Sequence, residues 1–311
     1  MKGLDISRQY FAAYKSTLFD GLPREITDCI AIGLVGAGSE CLGFDDELSC
    51  DHDFGPGFCI WLPANTYEIW KDEFIHRYAA LPSTFKGMRR KESALAQQRV
   101  GVFETQAFYR SFTGLDQVPQ TDTEWLAIPE QLLAMAVNGE VFFDPSGFFT
   151  SIRHELLRFY PEVVLRKKVA ANMAQMAQAG QYNLLRCIKR SDFVAADAAR
   201  TEFLWATMAV LHLLARCYMP YYKWSFRSLA ERACVPNSLC TLIQHIAQLP
   251  IDGLDIQEVE YVCAVVLGSV RKLGWTFAPG DFLLDAAYDI WHTLDSKELR
   301  SRPLGEGAYR L

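Results

Sequence analysis

The chain has 311 residues, half of them hydrophobic and 22% charged, with a formal net charge of −6 at pH 7. The composition is that of a globular protein, and the length suggests two domains or one domain with a large addition. The negative charge argues against general nucleic-acid binding, which usually leaves a basic signature.

The first half of the chain mixes predicted helices and strands. In chain order, the pattern predicts a helix over 7–19, strands over 29–38 and 57–63, a helix over 66–80, a strand starting at 99, a helix ending near Gly139, and a strand and turn over 141–147.

From Phe148 onward only helical patterns follow one another, at about 148–159, 162–179, 182–217, 225–234, 236–248 and 255–272, with the last ones running to about residue 299. The tail 301–311 is predicted to be loose. The fold class predicted is therefore α+β, with a small mixed-sheet domain over 1–147 and an all-helical bundle domain over 148–311.

The nine cysteines are scattered, and no pair has Cys-x-x-Cys spacing, which argues against a zinc site. Their odd number and the chain length predict reduced thiols and a cytoplasmic protein. The N-terminal residues lack the apolar core and cleavage site of a signal peptide. The longest apolar run, 203–215, contains His212 and is shorter than the roughly 20 residues of a bilayer span, so it predicts a buried core helix and no membrane partner.

An acidic stretch separates the first two predicted strands. Between Glu40 and Asp53 it holds six acids and no lysine or arginine. Asp51 and Asp53 precede the second strand, where side chains two residues apart face the same way, with Cα atoms about 6.6 Å apart. Two such carboxylates repel without a cation, and Mg²⁺ is commonly held by one or two carboxylates with waters and phosphates. The pair therefore predicts a magnesium site for phosphoryl chemistry, and the alternative is a solvated acidic turn.

A glycine turn completes this pattern at the end of the first strand. Gly36 and Gly38 allow a tight turn and a close approach of backbone to ligand. If a short helix begins after them, its amides and the Ser39 hydroxyl are placed to hold a triphosphate. Asp45, Asp46 and Glu47 are interpreted as loop acids that organise turns.

The arrangement resembles the nucleotidyltransferase superfamily typified by DNA polymerase beta, in which a strand ends in Gly-Ser and Asp-x-Asp follows on the next strand. It is more closely similar to a group of bacterial nucleotidyltransferase-like proteins defined as a domain of unknown function. Members carry four pieces in this order, and here they are Gly38-Ser39-Glu40, "GFDDELSCDHD" (43–53), "EVFFDPSG" (140–147) and "PYYKW" (220–224).

The resemblance implies a Mg²⁺-dependent enzyme that moves a nucleoside monophosphate, most simply AMP from ATP, onto a hydroxyl of a small-molecule acceptor. Gly38 and Ser39 would hold the phosphates, and Asp51 and Asp53 the metal. Glu104 would be the third carboxylate, as metal ligand or base, with Asp144 as its rival. The helical domain would select the acceptor.

Several roles stay open at this point. Glu40 either caps the turn or lines the nucleotide pocket, and Lys223 either reaches triphosphate oxygens or is a surface lysine beside Trp224. The basic segments 86–91 and 166–168 are interpreted as solvated faces, with phosphate or acidic-acceptor binding as the alternative. Rival functions are nucleotidyl transfer to a protein or RNA and nucleotide binding without turnover. The sequence does not define the acceptor, the base preference or the oligomeric state.

Overall fold

The computed structural model describes residues 1–50, 54–90, 99–233 and 235–309, without the side chain of Cys50. Its contacts divide the chain into two compact units: Met1–Pro119 with Leu132–Arg158, and Gln120–Gln131 with Phe159–Leu311. A small mixed sheet accompanied by many helices confirms the predicted α+β fold class. The domain boundary near residue 147 stays a prediction.

A mixed sheet forms the centre of the first unit. In the described residues its strand order is β5–β2–β1–β6, where β1 is Ala31–Leu34, β2 is Cys59–Leu62, β5 is Gly101–Glu104 and β6 is Glu140–Phe143. β1 runs antiparallel to both β2 and β6, whereas β2 runs parallel to β5. A separate hairpin pairs β3 (Thr84–Phe85) with β4 (Met88–Arg89).

The described helices as far as residue 157 are α1 (Gly3–Phe19), α2 (Arg24–Thr27), α3 (Ser39–Leu42), α4 (Ala64–Ala80), α5 (Thr105–Thr113), α6 (Asp122–Ala127), α7 (Glu130–Val137) and α8 (Phe148–Leu157), with a 3₁₀ turn at Glu47–Cys50. Of these, α6 belongs to the second unit. The core of the first unit packs α1 and α4 against β1 and β2, with Phe11, Phe58 and Phe74 among its buried side chains.

The second unit is helical in its described residues beyond Phe159. Its helices there are α9 (Glu162–Met176), α10 (Leu185–Lys189), α11 (Phe193–Leu214), α12 (Tyr222–Glu231), α13 (Asn237–Gln248), α14 (Ile256–Lys272), α15 (Leu283–His292) and α16 (Lys297–Ser301), with a 3₁₀ turn at Ile251–Gly253.

The break predicted near residue 180 is wrong. A π-helical segment, Ala177–Leu184, joins α9 to α10 instead, and the chain turns only after Lys189. Gly180 lies against α11, since a Cβ there would be 2.4 Å from the Phe203 ring. The glycine therefore provides a close helix–helix approach rather than a helix end.

Helix α11 contains the long apolar run and is buried as the sequence predicts. His212 is fully buried, with Nδ1 at 2.8 Å from the Met208 carbonyl oxygen and Nε2 at 3.1 Å from the Ser228 hydroxyl. Burial lowers its pKa to about 4, so the ring is neutral near pH 7. None of the described helices has the length and apolar character of a membrane span.

The C-terminal tail is not loose, which corrects the prediction for residues 303–309. Its carbonyls at Pro303 and Leu304 accept hydrogen bonds from Lys167, and the amide of Tyr309 donates to Asn172 at 3.0 Å. The segment is thus held along α9 at two points. We call residues 303–309 the C-terminal strap.

Gly33 tests the packing of the central strand. A Cβ at this position would lie 2.4 Å from the Glu140 carbonyl oxygen, at the point where the antiparallel register of β1 and β6 shifts. We expect Gly33→Ala to lower the free energy of unfolding by about 1–3 kcal/mol, as overpacking does elsewhere. Urea denaturation measures the change.

The same substitution in α14 is the control. A Cβ at Gly268 meets no atom within 4 Å, and the residue lies inside a helix. Gly268→Ala should raise the unfolding free energy by about 0.5–1 kcal/mol through helix propensity. Equal effects of the two substitutions would contradict the close approach of β6 at Gly33.

Candidate functional site

The Gly-Ser turn follows β1 directly. Gly36 and Gly38 have φ values of 122° and 121°, a backbone region that disfavours side chains, which confirms why glycine is needed at both positions. The single-turn helix α3 begins at Ser39. The Ser39 side chain is half-buried and makes no hydrogen bond with the described residues, so its hydroxyl is available to a ligand.

A distant asparagine fixes the shape of this turn. The Asn138 side chain accepts from the Gly36 amide at 2.9 Å and donates to the Gly36 carbonyl at 2.7 Å. Arg153 in turn donates to the carbonyls of Val137, Asn138 and Gly139. The turn therefore depends on a side chain 102 residues away in the sequence, a dependence that no local pattern reveals.

Glu40 is buried in an ion pair beneath the turn. Its side chain is 2% exposed, and its Oε1 lies 3.0 Å from Nη2 of Arg90 and 3.8 Å from Nη2 of Arg99. Arg99 also donates to the Ala37 carbonyl inside the turn, at 2.7 Å from Nη2. The Glu40 carboxylate thus pairs with arginine rather than capping the turn, and its role in lining a nucleotide pocket stays a prediction.

Arg90 connects this ion pair to the chain that leads into β2. Its Nη1 donates to the Gly55 carbonyl at 2.9 Å, while its Nη2 holds Glu40. Gly3 of α1 faces both segments, since a Cβ there would lie 2.7 Å from Glu40 Oε2 and 2.9 Å from the Phe54 ring. The residues that follow the Asp-His-Asp triplet thus lie beside the Gly-Ser-Glu turn.

The electrostatics of the pair reflect its burial. Burial raises the pKa of Glu40, and the two neighbouring guanidinium groups offset part of this rise. Oε2 of Glu40 is buried and has no hydrogen-bond partner within the described part of the chain. The negative charge of Glu40 therefore depends on the arginines, and losing them would leave it poorly solvated.

Two neighbouring cysteines are not candidate nucleophiles. Cys41 and Cys59 are buried, and burial raises the pKa of both thiols, that of Cys59 to about 12. A thiol of this kind is protonated near pH 7, which makes it a weak nucleophile.

Two acids of the acidic stretch organise local structure: Asp46 closes a turn, as predicted, whereas Asp45 binds the start of α1. Asp45 is 4% exposed and accepts from the Gly3 amide at 2.9 Å, at the start of α1. Asp46 accepts from both the amide and the hydroxyl of Ser49. Asp45 and Asp46 thus serve as a helix-terminus and a turn acceptor.

Asp51 and Asp53, the predicted metal ligands, lie outside the described residues. Within the described ranges no three acidic, histidine or cysteine side chains come together as a metal site would require. The predicted magnesium site at Asp51 and Asp53 therefore stays a prediction.

Glu104, the predicted third carboxylate, lies at the opposite end of the strands from the Gly-Ser turn. It pairs in register with Leu62, whereas the turn follows Leu34 near the start of β2. Its carboxylate caps α5 and accepts from the Gln106 amide at 2.7 Å and from the Ala107 amide. The topology does not bring Glu104 to the turn, because β5 runs parallel to β2.

Asp144 and Glu140 lie at opposite ends of β6. Asp144 follows the last residue of β6, at the strand end far from the Gly-Ser turn, and accepts from the Thr150 amide at 2.8 Å. Glu140 begins β6 and pairs with Leu34 beside the turn, but its carboxylate is bound by Arg8, at 2.8 Å from Nε. Sequence reasoning missed Glu140 as the acid nearest the turn on β6.

Lys223 lies in the second unit, near the start of α12. It is exposed, and its ammonium stands 5.2 Å from the centre of the Trp224 ring. This contact is what a surface lysine beside an aromatic ring makes. Phosphate binding by Lys223 stays a prediction.

Comparison with known proteins gives two matches. A family model described as a domain of unknown function (DUF4037) matches residues 125–225, less than half of the chain. This range includes the pieces at 140–147 and 220–224 and leaves out those at 38–40 and 43–53. No curated protein matches the chain.

The second match is a solved structure described as a nucleotidyltransferase-like protein from Exiguobacterium sibiricum. It is 10% identical, with a TM-score of 0.36 over 95% of this chain and 81% of that one. At this TM-score and identity the likeness carries no argument about activity.

The buried ion pair gives a stability prediction. We expect Arg90→Met to lower the unfolding free energy by about 3–5 kcal/mol, because it leaves Glu40 buried without its nearest cation. Arg24→Met is the control, since Arg24 pairs with Asp28 while 88% exposed, and it should change stability by less than about 1 kcal/mol. A loss below 1 kcal/mol for Arg90→Met, measured by urea denaturation, would mean that water reaches Glu40.

Proposed function

We propose that the protein is a Mg²⁺-dependent nucleotidyltransferase that transfers a nucleoside monophosphate, AMP from ATP in the simplest case, to a hydroxyl of a small molecule. The proposal combines the motif resemblance with one structural observation. Arg90 holds the Gly55 carbonyl and the Glu40 carboxylate together, so the chain after Asp53 is fastened to the Gly-Ser-Glu turn.

The topology supports the same assignment. The turn follows β1, and β2 is its antiparallel neighbour, so the chain entering β2 returns to the end of β1 where the turn lies. A phosphate-holding turn and the two aspartates that precede the neighbouring strand are the elements that the resemblance requires. The glycine backbone and the available Ser39 hydroxyl provide hydrogen-bond donors for phosphate oxygens.

The donor chemistry of this stretch fits Mg²⁺. Aspartate oxygens are the ligands this cation prefers, and it needs only one or two of them beside waters and phosphates. Glu40 is not one of them, because its carboxylate is bound by arginine. We therefore assign metal binding to Asp51 and Asp53 and assign Glu104 to the cap of α5.

The transfer follows from this set of residues. Gly38 and Ser39 hold the triphosphate so that its α-phosphorus faces the acceptor. The acceptor oxygen forms a bond to phosphorus while the bond to pyrophosphate breaks, and the hydroxyl proton is released to solvent water. Bound Mg²⁺ supplies positive charge that neutralises the triphosphate and the leaving pyrophosphate.

The proposal predicts that Asp51→Asn with Asp53→Asn abolishes Mg²⁺-dependent nucleotide turnover. We expect a loss of more than about 100-fold, since removing even a residue behind a metal ligand costs about 10–100-fold. Without metal, the double variant should melt at or above the wild-type temperature, because it removes two repelling charges. The assay follows transfer of the label from ATP labelled at the α-phosphate to hydroxylated acceptors, together with release of unlabelled pyrophosphate.

Glu47→Gln is the matched control, because Glu47 is an exposed acid in the same stretch. It should leave turnover unchanged. Label on a protein would indicate a protein acceptor, and nucleotide binding without pyrophosphate release would indicate a regulator. The proposal fails if wild-type protein binds no nucleoside triphosphate with Mg²⁺, or if the metal-free double variant melts markedly lower.

A further inference from the structure

A pocket of about 420 Å³ lies within the second unit. Its walls are residues 126–131 before and at the start of α7, Lys168 of α9, and residues 306–309 of the C-terminal strap. Small-molecule pockets usually measure about 300–1,000 Å³, so the volume suits a ligand of a few rings or fewer.

Lys168 lines this pocket without a hydrogen-bond acceptor. The residue is 4% exposed, and its ammonium makes no hydrogen bond or ion pair with any described residue. Its ammonium lies 5.0 Å from the centre of the Tyr160 ring and interacts electrostatically with the carboxylate of Glu130. An ammonium carries three donors, and a ligand or water in the pocket would accept from them.

The preceding residue shows what a structural lysine looks like on the same helix. Lys167 is fully buried, and its ammonium donates to the carbonyl oxygens of Pro303 at 2.6 Å and Leu304 at 2.8 Å. The fold therefore explains the burial of Lys167 but not that of Lys168. Both residues belong to the segment 166–168, and the prediction that it is a solvated face is wrong for them.

Glu130 offers the complementary acceptor. It is 5% exposed, and one carboxylate oxygen accepts from the Met219 amide at 2.8 Å. The other oxygen has no hydrogen-bond partner among the described residues. The pocket thus presents one unpaired donor group and one unpaired acceptor.

The C-terminal strap makes the wall opposite residues 126–131. A Cβ at Gly307 would lie 2.6 Å from Leu126 and 3.3 Å from Lys168, so the strap passes directly over the lysine stem. Lys167 and Asn172 hold the strap on either side of this point. The pocket is therefore a built cavity with fixed walls.

We propose that this pocket binds a neutral polyhydroxylated molecule, a sugar or cyclitol, with a hydroxyl that accepts from Lys168 and donates to Glu130. A hydroxyl does both at once, which pairs both groups. Lys168 is the lining cation, while Glu130 and Glu306 are lining acids, so the charge does not favour a phosphate or carboxylate ligand. The proposal does not depend on the nucleotide chemistry above.

The binding test is calorimetric titration of the full chain with D-glucose, D-galactose, sucrose and myo-inositol, and with citrate and inorganic phosphate as anions. We expect a neutral probe to bind. Lys168→Met should bind it at least about tenfold more weakly, the loss of one hydrogen bond to a charged group. Binding of anions alone, no binding of any neutral probe, or equal binding by the variant overturns the proposal.

Melting of the unliganded protein separates a ligand anchor from a structural lysine. Lys168→Met should melt close to the wild-type temperature, because it leaves no described hydrogen-bond partner unpaired and removes only the electrostatic interaction with Glu130. Lys167→Met, the matched control, should melt at least about 3 °C lower, since it leaves two carbonyls unpaired. If Lys168→Met melts as low as Lys167→Met, Lys168 is structural and the proposal fails.

Glu130 gives a pH prediction for the same cavity. Burial raises its pKa to about 7, while Lys168 and the Met219 amide oppose the rise. The other titratable groups that face it are Tyr160, Tyr218 and Tyr309, from the segments before α9, after α11 and in the strap.

A carboxyl in an unfolded chain titrates near about 4.3, so this group stabilises the fold below that pH, and the stabilisation is lost as pH rises towards 7. Glu130→Gln does not titrate. Its melting temperature relative to wild type should therefore rise between about pH 4 and 7. Parallel melting profiles would mean that Glu130 is solvated, which contradicts its burial in the pocket wall.

Discussion

The ion pair between Glu40 and Arg90 is the interaction on which the candidate site depends. It is buried, so it exists only because each charge has the other nearby and because Arg90 also holds the Gly55 carbonyl. Removing one partner of such a pair leaves a buried charge uncompensated, which is strongly destabilising. The pair joins the turn after β1 to the segment before β2.

The acids of the acidic stretch therefore have different structural roles. Glu40 is neutralised by arginine, Asp45 receives the first amide of α1, and Asp46 closes a turn. Glu47 is exposed, and Asp51 and Asp53 are the acids to which we propose that a cation binds.

Sequence patterns correctly predicted the strands and turns that are determined by neighbouring residues in the chain. Apolar runs identified β1 and β2, and the glycines at 36 and 38 indicated a turn that their positive φ values confirm. The patterns did not predict features that depend on contacts between residues far apart in the sequence. Glu104 was predicted to be a site acid because it ends a strand. Since β5 pairs parallel with β2, Glu104 lies at the strand ends far from the Gly-Ser turn.

The burial of basic residues in the second unit was also not predictable from the local sequence. Adjacent lysines in "RKK" look alike in a sequence, and charged residues are exposed by default. Whether Lys167 and Lys168 are solvated depends on a strap more than 130 residues later. No periodicity of α9 encodes that contact, so the pocket was not foreseeable from its own helix.

The dependence of Gly36 on Asn138 has a consequence for biosynthesis. A ribosome that has just released the glycine turn must add another 102 residues before the asparagine that shapes it exists, and more before Arg153 arrives. Pairing β6 onto β1 closes a loop of similar length, the kind of non-local step that slows folding. Until β6 is synthesised, β1 therefore has an unpaired edge in the nascent chain. Chaperone binding or misassociation at this edge would compete with its pairing to β6.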